Sequence, residues 1–291
     1  MKQSINNVTI EGIVSEVNIR DIDKGDKKYV AGEVVVKVPM KDGSFNLIPV
    51  GFISADKKKD GTPNQNYARL QNLKNFNSIA ALGKEEGATK VQIRGASLQE
   101  NLFLPQGGQD VISTIKINSN FFTKITNEAN YNPEASFNAT IYVAKMEDEI
   151  RNEEETGRLI VTGVLVGYAD KAEIVRFIAD EKANVDFIKS HWNQGDTVKI
   201  GGDLRFTEER VEQEQEVGFA EAETRRFTRR TKEFIIKRGS AAGLDEEESF
   251  NSDDIKKSLQ ERKNRMDAIK NAPQKAPQQT SNTIKSEDYG F

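Results

Sequence analysis

Apolar and polar residues alternate along most of the first 240 residues, with the period of two that is typical of strands with one buried face. The strands predicted in the first part of the chain span 5–20, 29–38, 44–54, 88–98 and 110–117. Between the third and fourth of these strands, apolar side chains at helical spacing predict one helix from Tyr67 to Leu82, with Gly83 after its end.

The same order of elements returns after a loop signal, NEANYNPEAS, at 127–136. The strands predicted there span 136–147, 157–168, 171–180, 195–206 and 229–238, and a helix is predicted at 181–192. Five strands with a helix between the third and fourth is the order of an oligonucleotide/oligosaccharide-binding fold (OB-fold). The sequence therefore predicts a mainly β protein with two tandem OB-fold barrels, each of five strands plus one helix, at 1–126 and 135–240.

The composition changes in a third segment, 241–291, which follows the second predicted barrel. Six acidic residues within 245–254 predict a solvated linker, and 252–270 predict a helix. The Pro/Gln-rich stretch 271–283 cannot bury a core, so a flexible linker and a disordered C-terminal tail are expected after the helix.

The helix at 252–270 has clear ends but a weak apolar face. Ser252 or Asp253 is expected to cap its N-terminus. Its apolar stripe is thin and interrupted by Arg262, which predicts a helix that is marginally stable alone.

The residue types exclude several kinds of chemistry. The chain has 0 Cys and 1 His, which excludes disulfides, thiolate zinc sites, iron–sulfur ligation, cysteine nucleophiles and multi-histidine metal sites. It contains no phosphate-loop, dinucleotide-binding or hydrolase motif. We therefore expect that the protein is not an enzyme and binds no metal or cofactor. The acidic runs 147–155 and 208–216 are expected to be solvated turns, and a Mg²⁺ site in these runs is the alternative.

No apolar run is long enough to span a membrane, and the N-terminus lacks the apolar core of a signal peptide. The sequence predicts a soluble protein of the cytoplasm of a bacterial host cell, without a membrane partner.

Two strand segments and the C-terminus resemble the bacterial single-stranded-DNA-binding (SSB) family. GDTVKIGGDLRF at 195–206 is similar to the fourth strand of that family, and KVQIRGASLQ at 90–99 is a weaker copy. The end of the chain is similar to the acidic C-terminal tip of SSB proteins, which ends in Phe. In that family, replication and repair proteins bind this tip. The chain departs from the family in its two barrels, in Gly290 where the family has Pro, and in having only two acids in the tip.

The resemblance implies single-stranded DNA as the ligand and replication or recombination proteins as partners of the tip. The partner-binding residues that it implies are Glu287, Asp288, Tyr289, Gly290 and Phe291. Tandem barrels with such a tail suit a bacteriophage or mobile-element protein.

Single strands are bound by cations that contact phosphates and by aromatic rings on which bases stack. The candidate contacts in the first barrel are Arg20, Lys27, Lys28, Phe45, Phe52, Lys57, Lys58, Lys59 and Arg94. The candidate contacts in the second barrel are Arg176, Phe177, Lys199, Arg205, Arg225, Arg226, Phe227, Arg229, Arg230 and Lys232.

Segregation of charge is the basis for the arginine candidates. The net charge of −4 excludes a uniformly basic surface. However, 224–238 hold seven basic residues and one acidic, whereas 207–223 hold seven acidic and one basic. A hairpin of these segments is expected to place a cationic stripe in a groove; the open alternative is that the arginines neutralise the acidic strand opposite them.

Strand geometry limits the aromatic candidates. Phe45 and Phe52 are an odd number of positions apart and point to opposite faces of a regular strand, so at most one of them stacks on a base. For Lys57–Lys59, the alternative to a DNA contact is a solvated turn without a binding role.

The leading hypothesis is non-sequence-specific binding and protection of single-stranded DNA in replication, recombination and repair, with partners recruited through the tip and homo-oligomerisation left open. One alternative is an OB-fold protein–protein adaptor or phage structural component without nucleic acid. The other is an RNA-binding protein associated with translation.

Overall fold

The computed structural model describes residues 1–215, 223–241 and 243–272. The predicted tip at 287–291 and the linker beyond residue 272 lie outside the described residues. Within the described ranges, no helix is long and apolar enough to cross a membrane.

Strands account for most of the regular structure, so the predicted mainly β fold is confirmed. The strands are β1 Asn6–Lys24, β2 Lys27–Pro39, β3 Phe45–Ala55, β4 Lys90–Phe103, β5 Ile112–Asn118, β6 Thr123–Lys124, β7 Glu134–Arg151, β8 Glu154–Val166, β9 Ala172–Ala179, β10 Thr197–Gln215 and β11 Glu223–Gly239. The α-helices are α1 Gln65–Gln71, α2 Ile79–Leu82, α3 Lys182–His191 and α4 Ser252–Lys270.

The strands pair in two closed cycles of the same order. In the first, β1, β2, β3, β5 and β4 pair in turn and β4 returns to β1; only β3 and β5 run parallel, at Val50↔Ile117. In the second, β7, β8, β9, β11 and β10 repeat the cycle, with β9 and β11 parallel at Ile178↔Ile235. These cycles, called the first and second barrel below, support the predicted pair of OB-folds, whose exact count and boundaries stay a prediction.

The two barrels are joined through their strands. β1 pairs with β7, with a register from Asn6↔Ala139 to Glu11↔Glu134, so the strands that the structure describes belong to one eleven-stranded sheet. The alternation of apolar and polar residues predicts the strands, but it does not predict which strand of one barrel pairs with which strand of the other.

Phenylalanine rings fill the interior of the second barrel. Phe137, Phe177 and Phe234 have ring centroids 5.4 to 6.1 Å apart, and the Phe206 ring packs against Phe234 at 5.7 Å. All four rings are buried. Burial of each ring contributes about 1.5–3 kcal/mol to folding.

A bulge at Gly95 changes which residues of β4 face outwards. Gly95 has a φ of +71°, which favours glycine, and the β1–β4 register shifts beside it. Before the bulge, Val91 and Ile93 are buried; after it, Ala96 and Leu98 are buried. The odd-numbered residues from 97 to 103 therefore face outwards.

The helix predicted from Tyr67 to Leu82 is wrong in its extent. The chain forms α1, a short 3₁₀ turn at Asn72–Asn75 and then α2. Phe76 takes an extended conformation, and the Ser78 hydroxyl caps α2 by accepting from Ala81 N–H at 3.2 Å. Helical spacing of apolar residues does not detect this break, because Leu70, Leu73 and Ile79 keep that spacing across it although no residue of α2 is buried.

The helix α4, expected to be marginally stable alone, docks on both barrels. Ile255 is buried together with Val164 and Val166 of the second barrel. The Arg262 guanidinium donates to both carboxylate oxygens of Glu100 on β4, at 2.8 and 2.6 Å, and the Glu100 side chain is only 1% exposed. The cap is Asn251 rather than Ser252 or Asp253, because its side chain accepts from the N–H groups of residues 253 and 254.

We expect Arg262→Met to lower the free energy of unfolding by about 3–5 kcal/mol, because it leaves the Glu100 carboxylate buried without its counter-ion. Urea titration followed by circular dichroism measures the change. The exposed neighbour Lys263 provides a matched control, and Lys263→Met is expected to stay within about 0.5 kcal/mol of wild type. Equal stability of the two variants would contradict the docking role of Arg262.

Candidate nucleic-acid interface

A groove of about 1170 Å³ crosses the outer face of the first barrel. Its floor and walls come from β1 to β5, and Phe206 and Lys232 of the β10–β11 hairpin close one side. The hairpin is held against β3 because the backbone N–H of Phe206 donates to the buried Asn46 Oδ1 at 2.7 Å. The second barrel therefore supplies part of a site that lies mainly on the first.

Cations outnumber anions in the groove. Arg20, Lys116 and Lys232 line it with exposed side chains, whereas Glu33 is the single acidic residue among its described lining residues. Within the described part of the chain, none of the three cations forms an ion pair, so each is available to a phosphate. A chain that is anionic as a whole thus presents a local positive site, which is sufficient for a polyanion.

Two exposed rings face the same groove. Phe103, at the end of β4, is 40% exposed, and Phe121, just after β5, is 52% exposed. Sequence reasoning missed both, because neither stands beside a run of cations and Phe121 follows the last predicted strand of its barrel. The signal for Phe103 was Gly95, whose bulge turns the odd-numbered end of β4 outwards.

The backbone around Phe121 is fixed on both sides. Ser119 N–H donates to Gly51 O at 3.0 Å, and the Ser119 hydroxyl accepts from Phe121 N–H at 3.1 Å. On the other side, Phe122 packs edge-on against Phe52, with ring centroids 5.8 Å apart. The exposed ring is therefore presented by an anchored segment.

The predicted lysines of the first barrel lie on two neighbouring turns and are not among the groove-lining residues. Lys27 and Lys28 begin β2, Lys57–Lys59 form the turn after β3, and all are exposed. Asp56 N–H donates to Lys28 O at 2.8 Å, which holds the two turns side by side. The turn after β3 begins three residues beyond Ile53, which lines the groove, so the two turns lie about 10 Å from Ile53 along the strand.

The aromatic candidates of β3 differ in exposure. Phe52 is 5% exposed and belongs to the core, so its assignment as a stacking ring is corrected. Phe45 is exposed, and Lys37 Nζ lies 4.2 Å from its ring centroid. Arg94 is exposed on β4 but is not among the groove-lining residues.

Several candidates of the second barrel are occupied or buried. Phe177 is fully buried in the ring cluster, which corrects its assignment as a DNA contact. Arg176 lies 3.6 Å from Glu147, and Lys199 Nζ lies 2.8 Å from a Glu248 oxygen. These cations already have carboxylate partners.

Ion pairs also fill the outer cleft of the second barrel. Glu233 lies 3.2 Å from Arg151, 2.8 Å from Arg158 and 3.7 Å from Arg205. Its carboxylate is mostly buried, at 12% exposure. Arg205, a predicted DNA contact, is therefore part of an internal network.

Asp180 extends this network. Its carboxylate oxygens lie 3.0 Å from Arg205 and 3.1 Å from Lys237. Burial alone would raise the pKa of Asp180, but the hydrogen bonds and charges of Lys237 and Arg205 outweigh it and hold that pKa below its usual value. The carboxylate stays ionised at neutral pH and keeps its cations.

The two barrels carry opposite charges beside their parallel strand pairs. Ile117 and Asn118 of β5 pair with the parallel strand β3, and Ile235 of β11 pairs with the parallel strand β9. Just before these paired residues, β5 carries Lys116 and β11 carries Glu233. Lys116 therefore adds a cation to the groove of the first barrel, whereas Glu233 is paired with arginines of the second barrel.

The β10–β11 hairpin pairs acidic with basic positions. Its register places Glu208 opposite Arg230, Glu209 opposite Arg229 and Glu212 opposite Arg226. Arg230 Nε lies 2.6 Å from a Glu208 oxygen. This register favours the alternative of mutual neutralisation over a cationic stripe; the side chains of Arg225, Arg226, Phe227 and Arg229 lie outside the described residues.

Carboxylates do not assemble into a metal centre in the part of the chain that the structure describes. No group of three or more His, Asp or Glu side chains is placed to hold a metal there. Within the acidic run 147–155, Glu147 and Glu149 instead pair with arginines, at 3.6 and 2.9 Å.

Comparisons with known proteins place the chain in a family. The model of the family described as YorF matches residues 4–272. No curated protein matches the chain.

Two solved structures have a similar arrangement. Both are of the single-stranded DNA binding protein from Thermus aquaticus. A deletion mutant of that protein is 9% identical, with a TM-score of 0.49 over 87% of this chain and 99% of that one. The wild type is 10% identical, with a TM-score of 0.48 over 84% and 96%.

Proposed function

The chain belongs to the YorF family, and we propose that it binds single-stranded DNA, without sequence specificity, in the groove of the first barrel. The observation that supports this most is the combination of three cations, unpaired within the described residues, with two exposed rings along one groove. Unpaired bases expose the faces that stack on such rings, and their phosphates supply the charge that the cations lack.

The polar lining of the groove suits a ligand of variable sequence. Asn18, Ser97, Gln99 and Asn101 supply amide and hydroxyl groups that both donate and accept hydrogen bonds. Such groups adapt to different base edges, so the binding energy comes mainly from stacking and phosphate contacts.

The finer biological role is part of the same proposal and rests on the sequence. We place the chain in replication, recombination or repair, with partner proteins recruited through the tip at 287–291. The domain boundaries 1–126, 135–240 and 241–291, a bacteriophage or mobile-element origin and a homo-oligomeric state are further proposals on that basis.

A protein–protein adaptor is the second candidate function. The observation that favours it is apolar exposure at the groove, where Ile53 is exposed beside Phe103 and Phe121, with Ile112 exposed at the start of β5. An extended peptide would use those apolar groups, but it would not require the three groove cations.

The deciding experiment is a fluorescence-anisotropy titration of the full chain with an oligo-dT of about 15 nucleotides, within the range that OB-folds cover. We expect micromolar or tighter binding at low salt, weaker binding to the matched duplex, and a log–log salt slope of about −2 from three phosphate contacts. A matched RNA strand distinguishes DNA from RNA preference. Absence of binding at micromolar protein concentration would contradict the proposal and would favour the second candidate function, a protein–protein adaptor.

Removing the exposed rings tests stacking. We expect Phe103→Ala and Phe121→Ala each to weaken oligo-dT binding by about 1–3 kcal/mol, whereas Phe121→Tyr keeps a π-face and most of the affinity. Phe187 on α3 is an exposed phenylalanine outside the groove, so Phe187→Ala serves as the control with no expected change. Equal affinities for all four variants would exclude stacking in the groove.

Exchanging the charge at one position tests the difference between the barrels. Lys116→Glu replaces a cation of the groove with an acid, so we expect about tenfold weaker binding and a salt slope reduced by about 0.7. Lys257→Glu on α4 makes the same change of net charge at an exposed position away from the groove. If both variants lost affinity equally, net charge rather than the groove would govern binding.

A further inference from the structure

A second cavity, of about 370 Å³, opens at the end of the first barrel beside α1 and β6. Its lining residues are Arg69, Leu70, Asn72, Phe76, Asn120, Phe121, Phe122, Thr123 and Lys124. Asn120 and Phe121 line both this cavity and the groove. The two spaces are therefore neighbours, with the exposed ring of Phe121 at their boundary.

The lining combines positive charge with aromatic surface. Arg69 and Lys124 are exposed, neither forms an ion pair within the described residues, and no described lining residue is acidic. Phe76 and Phe122 are half-buried and present ring surface to the same cavity. This is the chemistry that binds a phosphate and a base next to each other.

The position of Phe121 decides how a ligand would pass from one space to the other. Its backbone is anchored by the Ser119 hydroxyl and by the packing of Phe122 on Phe52, while its ring remains 52% exposed. An anchored, exposed ring between two cationic cavities is suited to separate two successive bases.

We propose that the second cavity is a nucleotide subsite that continues the groove, so that a bound single strand turns around Phe121 and places one nucleotide between Arg69 and Lys124. This inference rests on the proposed function and adds to it a path for the strand. The cations contact the backbone phosphate of that nucleotide, and its base lies against Phe76 and Phe122. Strands too short to reach beyond Phe121 do not use the subsite.

Oligonucleotides of two lengths test the subsite. The variant is the double substitution Arg69→Gln/Lys124→Gln, and the probes are oligo-dT of about six and about 15 nucleotides, near the two ends of the range for an OB-fold. We expect at least fivefold weaker binding of the longer strand, a salt slope that falls by about 1.4 for that strand, and no change for the shorter one. Lys257→Gln/Lys263→Gln on α4 removes the same charge at exposed positions and is expected to bind both strands like wild type.

A second readout is the number of nucleotides that each protein occludes on poly(dT). We expect the Arg69→Gln/Lys124→Gln chain to occlude fewer nucleotides than wild type, because its strand ends at Phe121. Equal loss for both strand lengths, or an unchanged longer strand and occluded length, would overturn the subsite while leaving the groove intact. Failure of the wild type to bind either strand would overturn the proposed function and the subsite together.

Discussion

A lysine or arginine that is already hydrogen-bonded to a carboxylate is poorly placed to bind a phosphate, because a buried counter-ion must first be given up. This constraint is strong in a chain with 42 basic and 46 acidic residues. In the second barrel, Glu233 and Asp180 hold the arginines of the outer cleft. In the groove of the first barrel, Arg20, Lys116 and Lys232 have no such partner in the described part of the chain. The location of the candidate site follows from pairing, not from the density of cations along the sequence.

Several contacts hold the walls of the groove in place. The β1–β7 pairing joins the barrels into one sheet, and Phe206 N–H bonded to Asn46 holds the β10–β11 hairpin against β3. Arg262 of α4 binds Glu100 of β4, the strand that also carries the groove-lining Phe103. A change far from the groove in sequence can therefore alter its shape.

The element order could be predicted from the sequence because strand alternation and helix ends are local signals. Features that depend on tertiary contacts could not. The Gly95 bulge changes which residues of β4 face outwards, so strand alternation alone does not identify Phe103 as exposed. The sequence shows Arg262 only as an interruption of an apolar stripe, because its partner Glu100 is distant along the chain. In the same way, the arginines of β11 suggested a cationic stripe, since the acidic positions of β10 that stand opposite them become visible only once the register is known.

Two barrels of the same strand order need not bind the same ligand, because their cations differ in pairing. Lys116 and Glu233 both lie beside the parallel strand pair of their barrel, but Lys116 lines the groove as a cation, whereas the mostly buried Glu233 carboxylate pairs with three arginines. Because those arginines already have a carboxylate partner, they are less available to a polyanion. The hairpin of the second barrel is then suited to act as a wall, contributing Phe206 and Lys232 to its neighbour's groove. The proposed site thus lies on the first barrel, and the second barrel supplies part of its wall.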